Sequence, residues 1–380
     1  MNKSRQPFIW LITALFWFTC QSFLSGGAWA GEVFPETTWE SAPMSGALYS
    51  AAAGLCPERC LALVYKDKIA LMRIGKRSEV LSPMAEVNAE ATESFHRVHL
   101  GDFDADGVTD ILVNGFQEER VFSRWFNWQD GHLVKKQDFV ATVMPLWWQG
   151  KMRLFSQTLR GRGEWSQTLK EISLDAKSAP KKSERIRLRL ATGIGSNPIG
   201  LFALQSMDER LVSLSEEGIL ILSDGLGKRL WRSGLKYGGA VDRIALEGRD
   251  PMGVKQDQIL MLPPRLAYHA HSAALYVAKN SGFLPAAIGA FPDMKATEYV
   301  VLKATTNGLQ ETFVSRRFDG AISDLNLVDF DGDGRKNEVL IVLWIRTGGL
   351  LESAQPVSSR VVVVAAGDEA PVTRHSGRGK

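Results

Sequence analysis

Two stretches of alternating carboxylates constrain this chain more than anything else in it. Asp102, Asp104, Asp106 and Asp110 fall at even spacing, with Gly107 at the tight point and the apolar run Ile111, Leu112, Val113 straight after. Four carboxylates within nine residues repel one another unless a cation sits among them. With a backbone carbonyl at Val108 they can wrap one hard cation in oxygens, the coordination that Ca²⁺ takes. Magnesium fits less well, because it demands strict octahedral geometry and keeps its waters. Asp329, Asp331 and Asp333 repeat the spacing near the other end, with Gly334 at the tight point and Val339 to Val342 following. The plainer account, solvated turn residues, leaves the repulsion unrelieved. A loop this specific appearing twice points to a repeat protein.

Around these loops the chain reads as short apolar strands split by Gly, Asp, Asn and Pro. Examples are Leu61 to Tyr65, Ile69 to Ile74, Leu211 to Leu214, Gly218 to Leu222, Ile259 to Leu262, Tyr299 to Leu302 and Val361 to Val364. Long helical periodicity is missing, so the pattern predicts an all-β repeat fold. Aligning on the apolar run after each loop exposes worn copies. Leu100 to Val113 lines up without gaps with Ile288 to Val301, which keeps the Gly, the Phe, the Thr-acidic pair and the strand. Asp250 to Met261 is fainter, and Met144 to Trp148 and Leu201 to Leu204 are fainter still. Extending the register backwards puts Cys56 to Cys60 in the same slot. The slots then fall near residues 52, 102, 144, 202, 250, 290 and 329. Blades of about 50 residues predict a seven-bladed β-propeller with calcium-binding hairpin loops, with six or eight blades left open.

The same spacing also starts an EF-hand, but an EF-hand needs a bidentate Glu at position 12 and helices on both sides. Position 12 is Val113 in one loop and Leu340 in the other, and each lies in an apparent strand. A short D-x-D-x-D-G-x-x-D loop between strands instead resembles the FG-GAP or VCBS-type repeats of integrin-α-like β-propellers. The resemblance is specific over the two loops and faint elsewhere. It implies a propeller holding about two structural Ca²⁺ ions in hairpin loops on one face. Carried over by position, the first ion's ligands are Asp102, Asp104, Asp106, the Val108 carbonyl and Asp110. The second's are Asp329, Asp331, Asp333 and the Arg335 carbonyl. There the chain departs from the pattern: position 9 is Asn337 and the acid comes one later, at Glu338. Either Asn337 ligates through its amide oxygen or a bulge brings Glu338 in, and a carboxylate offers a divalent cation more. Gly107 and Gly334 are expected to supply the unusual turn angles. A loop that fills the coordination sphere with its own acids leaves little room for substrate, so its expected role is to fix a hairpin.

The first 30 residues read as an export signal: Lys3 and Arg5, an apolar run from Phe8 to Leu24, then Ala28, Trp29 and Ala30 as the cleavage site. Cleavage after Ala30 predicts a periplasmic or secreted protein with no further stretch long enough to span a bilayer. The remainder reads as a lead-in segment at 31–50, the propeller at 51–366 and a disordered polar tail at 367–380. The chain has 45 basic and 42 acidic residues, and the signal holds two of the basic ones, so the mature protein is near neutral. That argues against a nucleic-acid partner. Cys56 and Cys60 remain after cleavage. In an oxidising compartment a disulfide is expected; a metal site lacks two further ligands, and C-x3-C is not the C-x2-C redox spacing.

No catalytic constellation stands out. His269 and His271 would share one face of a strand without a third ligand, and His96 and His99 precede the first acidic loop; all four read as structural. Gly193 to Gly200 is not G-x-G-x-x-G and reads as a turn. Trp125, Trp128, Trp147 and Trp148 read as blade packing ahead of a sugar- or peptide-binding patch. The basic stretch from Arg160 to Arg189 reads as a solvated face. The expectation is a non-catalytic binding or assembly module for a protein or glycan ligand in the bacterial envelope or outside the cell. The rival from another class is an enzyme working in the central funnel, of polysaccharide-lyase or quinone-dependent-dehydrogenase type.

Overall fold

Strand follows strand in antiparallel hairpins along the described chain; among the described residues the strands group into five four-stranded sheets, one four-stranded sheet with a short fifth strand, Met44–Ser45, on its third strand, and two two-stranded sheets. The computed structural model describes residues 37–56, 58–75, 81–160, 164–174, 186–191, 200–207, 209–215, 217–246, 258–282, 294–346 and 357–366. The export signal, the polar tail, the charged stretch 175–185, the turn at 193–199, the segment from Asp250 to Asp257 and that from Ile288 to Asp293 lie outside them.

Blade 1 is built from Leu48–Cys56, Glu58–Tyr65, Lys68–Ile74 and Leu81–Asn88, and blade 2 from Glu93–Gly101, Asp110–Gln117, Arg120–Gln129 and His132–Phe139. Blade 3 takes Thr142–Trp148, Lys151–Gln157, Thr168–Ile172 and Arg187–Arg189; blade 4 takes Leu204–Met207, Arg210–Leu214, Ile219–Asp224 and Arg229–Lys236. Blade 5 is Ala267–His269, Ala274–Gly282, Met294–Thr305 and Gly308–Val314. Blade 6 takes Ala321–Val328, Glu338–Arg346 and Val357–Ala365, and its fourth strand, Thr37–Glu40, comes from the other end of the described chain. That pairing ties the ring shut and puts strand structure into the segment expected to be an irregular lead-in. No α-helix occurs among the described residues, so none is long and apolar enough to cross a membrane.

Neighbouring blades meet in a closed cycle, 1 to 2 and onward to 6 and back to 1, so the architecture is a six-bladed β-propeller. The second strand of blade 2 and the third strand of blade 5 carry unbroken apolar runs because adjacent blades cover both of their faces. Ile111, Leu112 and Val113 are fully buried, as are Val300, Val301 and Leu302. Each such side chain contributes roughly 1.5–3 kcal/mol by leaving water. The outer strand His132–Phe139 is mostly exposed and correspondingly polar. The tight Asp130-Gly131 turn before it has φ of 49° and 85°, the left-handed pair that a two-residue hairpin needs.

Six blades replace the seven expected because two of the expected slots are not slots. Asp242–Leu246 and Gln258–Leu262 form a two-stranded sheet inserted between blades 4 and 5, and this takes the slot near 250. The slot near 290 precedes Met294–Thr305, which is the third strand of blade 5, not its second. The true slot of that blade is the turn between His269 and Ala274. In blade 5 the second strand buries Tyr276, Val277 and Ala278 and the third buries Tyr299 to Leu302, so an alignment on apolar runs cannot tell them apart.

Candidate metal loops and the central funnel

Both acidic loops leave the inner strand of a blade and enter the second, so the strand ladder fixes their ends. In blade 2, Gly101 pairs with Asp110; in blade 6, Val328 pairs with Glu338. Carboxylate oxygens of Asp102, Asp104 and Asp106 gather within 4.8 Å of one another, and those of Asp329, Asp331 and Asp333 do the same. The loop backbone holds them. The Asp106 N–H donates to Asp102 at 3.1 Å and Asp104 at 3.2 Å, the Gly107 N–H to Asp102 at 3.0 Å, and the Val108 N–H to Asp106 at 2.8 Å. In blade 6, Asp329 accepts from the Gly332 and Gly334 N–H groups at 2.9 and 3.0 Å, Asp331 from Asp333 at 3.0 Å, and Asp333 from Arg335 at 2.8 Å. Gly107 and Gly334 are left-handed at φ 85° and 86°, as expected, and the fourth loop position is left-handed too: Ala105 at 62° and Gly332 at 82°. Val108 and Arg335 are exposed.

Asp110 takes a different place. It is fully buried; its Oδ1 accepts the Trp125 indole N–H at 2.7 Å and its Oδ2 the Phe103 N–H at 2.6 Å. It thus underpins the loop from the blade core and does not join the cluster of three. Burial pushes its carboxyl up to about 6, against the pull of the Trp125 and Phe103 bonds. Glu338 is its counterpart, accepting the Phe330 N–H at 3.1 Å. Burial pushes Glu338 up to about 7 against that bond, with Asp331, Asp329 and Asp333 adding to the rise. The extra residue of this loop is Asn337. With its amide oriented to suit both neighbours, it donates to the Arg335 carbonyl at 3.2 Å and the Glu338 carboxylate at 3.1 Å. Glu338, not Asn337, therefore stands where Asp110 stands. Asp104 is also raised, by burial first and then by Asp106 and Asp102, which is repulsion a cation would relieve. The donors are all oxygen and mostly carboxylate, which suits a hard cation such as Ca²⁺ and not a thiophilic one.

Blade 1 lies between these loops, and a Cys56–Cys60 disulfide closes its hairpin. On one side the Thr109 hydroxyl donates to the Leu55 carbonyl. On the other the Arg59 guanidinium donates to the Phe330 and Asp331 carbonyls at 3.3 and 3.2 Å. Three adjacent slots, in blades 6, 1 and 2, thus form one arc: loop, covalent staple, loop.

The arc borders a funnel of about 470 Å³, with Asp102 and Lys336 at its rim and His99 and Arg265 lining it below. Around the axis lies a buried charge network that sequence reasoning missed. Asp324 accepts from Arg265 Nη2 at 2.7 Å and Nε at 3.2 Å, and from the Ser50 hydroxyl at 2.6 Å; Arg97 stands 3.7 Å away. Burial pushes Asp324 up, but Arg265 and Arg97 outweigh it and hold the carboxyl below its ordinary value. Burial, then Arg265 and Arg97, push His99 well below 6.5. His96 Nδ1 meets Asp242 at 2.6 Å, which anchors the inserted hairpin to blade 2. Val241 packs with Ala321 and Trp344 and against Ala47 and Tyr49, so the root of the hairpin reaches blades 1, 2 and 6 near the starts of their inner strands. The funnel instead lies by residues at the ends of the inner strands, such as His99 to Asp102.

A local signal for this network existed: Arg97 and Asp324 interrupt apolar inner strands, and Arg265 follows two prolines. His269 and His271 do not share a strand face. His269 ends its strand, with Nδ1 2.7 Å from the Ser272 hydroxyl, and His271 lies exposed in the turn. Trp125 and Trp148 pack in blades, Trp128 is half-buried, and Trp147 stands exposed in the funnel wall. Arg187 and Arg189 are exposed, as expected of a solvated face.

No family model matches the chain, and no curated protein matches it. Among solved structures it is similar to a chain of a mitotic checkpoint complex, at 9% identity over 96% of each chain with a TM-score of 0.45. It is similar to the C-terminal WD40 domain of Sif2 at 13% identity, over 87% of this chain and 99% of that one, with a TM-score of 0.41. A BBS1N–ARL6DN complex gives 11% identity over 81% of this chain and 76% of that one, with a TM-score of 0.37. Likeness at this level carries no argument about activity or partner, and the propeller is read from the strand order alone.

Proposed function

We propose that the chain is an exported, calcium-stabilised propeller of the FG-GAP or VCBS repeat type, serving as a non-catalytic binding or assembly module in the bacterial envelope or outside the cell. The observation that carries this reading is the reinforced arc, in which two clusters of three carboxylates flank a disulfide-closed hairpin. Asp102, Asp104 and Asp106 with the Val108 carbonyl would hold one Ca²⁺, and Asp329, Asp331 and Asp333 with the Arg335 carbonyl the other. The ions supply no chemistry beyond charge neutralisation and binding free energy, which adds to the stability of the folded state. A disulfide suits an oxidising compartment. The axis carboxylates Asp324 and Asp242 are committed to internal partners, which favours binding over turnover.

The test is a pull-down from envelope extracts with Ca²⁺ and with EGTA, alongside thermal melts in both. A protein or glycan partner is expected to be retained in Ca²⁺ and depleted in EGTA. Identical melting in both solutions would sink the calcium claim. The funnel-enzyme reading draws on one observation, that His99 and Arg265 converge on the funnel. It stands only if turnover of a polysaccharide or an alcohol is found and is lost in His99→Gln without a change in melting temperature.

A further inference from the structure

The funnel lining combines donors and positive charge with exposed apolar surface. Arg265 and Lys336 line it, and the carboxylates that balance the axis guanidiniums, Asp324 and Asp242, are not part of the lining. Among the described lining residues the one carboxylate is Asp102, which belongs to the acidic loop. His99 adds an unused donor. Arg265 Nη1 lies 3.4 Å from its Nδ1, and a guanidinium only donates, so Nδ1 accepts and Nε2 carries the proton. Nε2 meets no partner among the described residues and has no accessible surface of its own, His99 being 7% exposed, so a ligand reaches it only as the side chains covering it shift. A buried donor without a partner costs free energy that a ligand acceptor can recover. Trp147 and Met152 of blade 3 also line the funnel and are 40% and 49% exposed, large apolar side chains left facing open space. A volume of about 470 Å³ falls within the range of small-molecule sites.

We propose that the funnel is a binding site for a small organic acid, with the carboxylate directed to His99, Arg265 and Lys336 and an apolar body lying against Trp147 and Met152. The proposal rests on the binding-module reading and gives its ligand a chemical class. Recognition needs both halves: the carboxylate accepts from the donors, and the apolar body leaves water against the aromatic wall.

The test compares three probes that differ only at the head group, hexanoate, hexanol and hexylamine, titrated into the purified protein in saturating Ca²⁺ at fixed ionic strength. Trp147 makes tryptophan fluorescence a local reporter. Hexanoate is expected to change the fluorescence saturably and to bind at least about ten-fold tighter than hexanol, with hexylamine inert. Trp147→Phe should remove most of the signal. Lys336→Gln, at an exposed position, should weaken hexanoate several-fold without moving the melting temperature, and His99→Gln should weaken it further. Equal binding of hexanol and hexanoate overturns the proposal, as does a hexanoate response that survives unchanged in Trp147→Phe and Lys336→Gln. If the envelope pull-down retains a partner while hexanoate is inert, the binding-module reading stands and the small-acid site falls.

Discussion

The acidic loops and the axis network face the same problem, carboxylates crowded with like or unlike charges, and settle it differently. In the loops, Asp102, Asp104 and Asp106 lie near the surface, with only loop N–H groups directed at them. On the axis, Asp324 is fully buried, and two guanidiniums, a hydroxyl and a backbone N–H surround it. The exposed cluster can wait for a cation from solution. The buried one must bring its own, because a lone buried charge costs several kcal/mol. The loops should therefore respond to Ca²⁺ and tolerate substitution without it, whereas the axis should ignore Ca²⁺ and tolerate little.

The sharpest break of that contrast is Asp324→Asn. It leaves Arg97 and Arg265 buried without their carboxylate, and removing one partner of such a pair costs about 3–5 kcal/mol. Urea unfolding should show that loss equally in Ca²⁺ and in EGTA. A loss that appears only in Ca²⁺ would mean that the axis and the loops are coupled and the comparison fails.

Next in size is the metal itself. Calcium at a hundred times its dissociation constant stabilises the fold by about 2.7 kcal/mol per site. Asp104→Ala and Asp331→Ala should each remove one site's share, read as a smaller rise in melting temperature with added Ca²⁺, and each should melt close to the unaltered protein in EGTA. If either variant is as destabilised in EGTA as in Ca²⁺, its loop is structural without an ion.

The contrast also explains what the sequence made legible. Each loop is written within nine or ten consecutive residues, so spacing alone exposed its carboxylates, its glycines and its place between strands. The axis network is written across the chain: Ser50 and Asp324 are 274 residues apart, Arg97 and Pro263 166, His96 and Asp242 146. No local pattern announces such pairs. Blade count suffered for a related reason, since the buried second and third strands of blade 5 look alike until their pairing is known. The swap of Asn337 for Glu338 was legible as two options and needed the ladder to choose, because Glu338 pairs with Val328 as Asp110 pairs with Gly101.

A pH titration separates the regions by sign. Burial holds His99 below 6.5 in the folded state, so below that pH the unfolded chain binds the extra proton. Stability from this group is complete above about 6.5 and falls as the pH drops, by about 1.4 kcal/mol per unit until the folded ring itself protonates. Asp110 and Glu338 are raised, so without metal their contribution runs the other way and grows as the pH falls. The clean readout is the difference between the unaltered protein and His99→Gln in urea unfolding from pH 7 to 5. A difference that does not shrink on acidification would place His99 in contact with water and undo its role in the buried network.

The smallest effect tests whether the two loops are backbone equivalents. Their fourth position is left-handed in both, but Gly332 fills it in one and Ala105 in the other. A Cβ at Gly332 would meet the Arg59 Cδ at 3.3 Å, while the φ of 82° already disfavours any side chain. Gly332→Ala should therefore cost about 1–2 kcal/mol. Ala105→Gly removes that strain from the blade 2 loop, but the freer unfolded chain offsets about 0.5–1 kcal/mol of the gain. Its net effect should stay within about 0.5 kcal/mol. Measured side by side in EGTA, the pair should be asymmetric. Gly107 and its counterpart Gly334 both have open space around them, so the asymmetry lies at the fourth position, where Arg59 packs against Gly332. Equal and small effects would show that Arg59 yields freely, and that the brace between blades 1 and 6 holds the loop backbone by its hydrogen bonds alone.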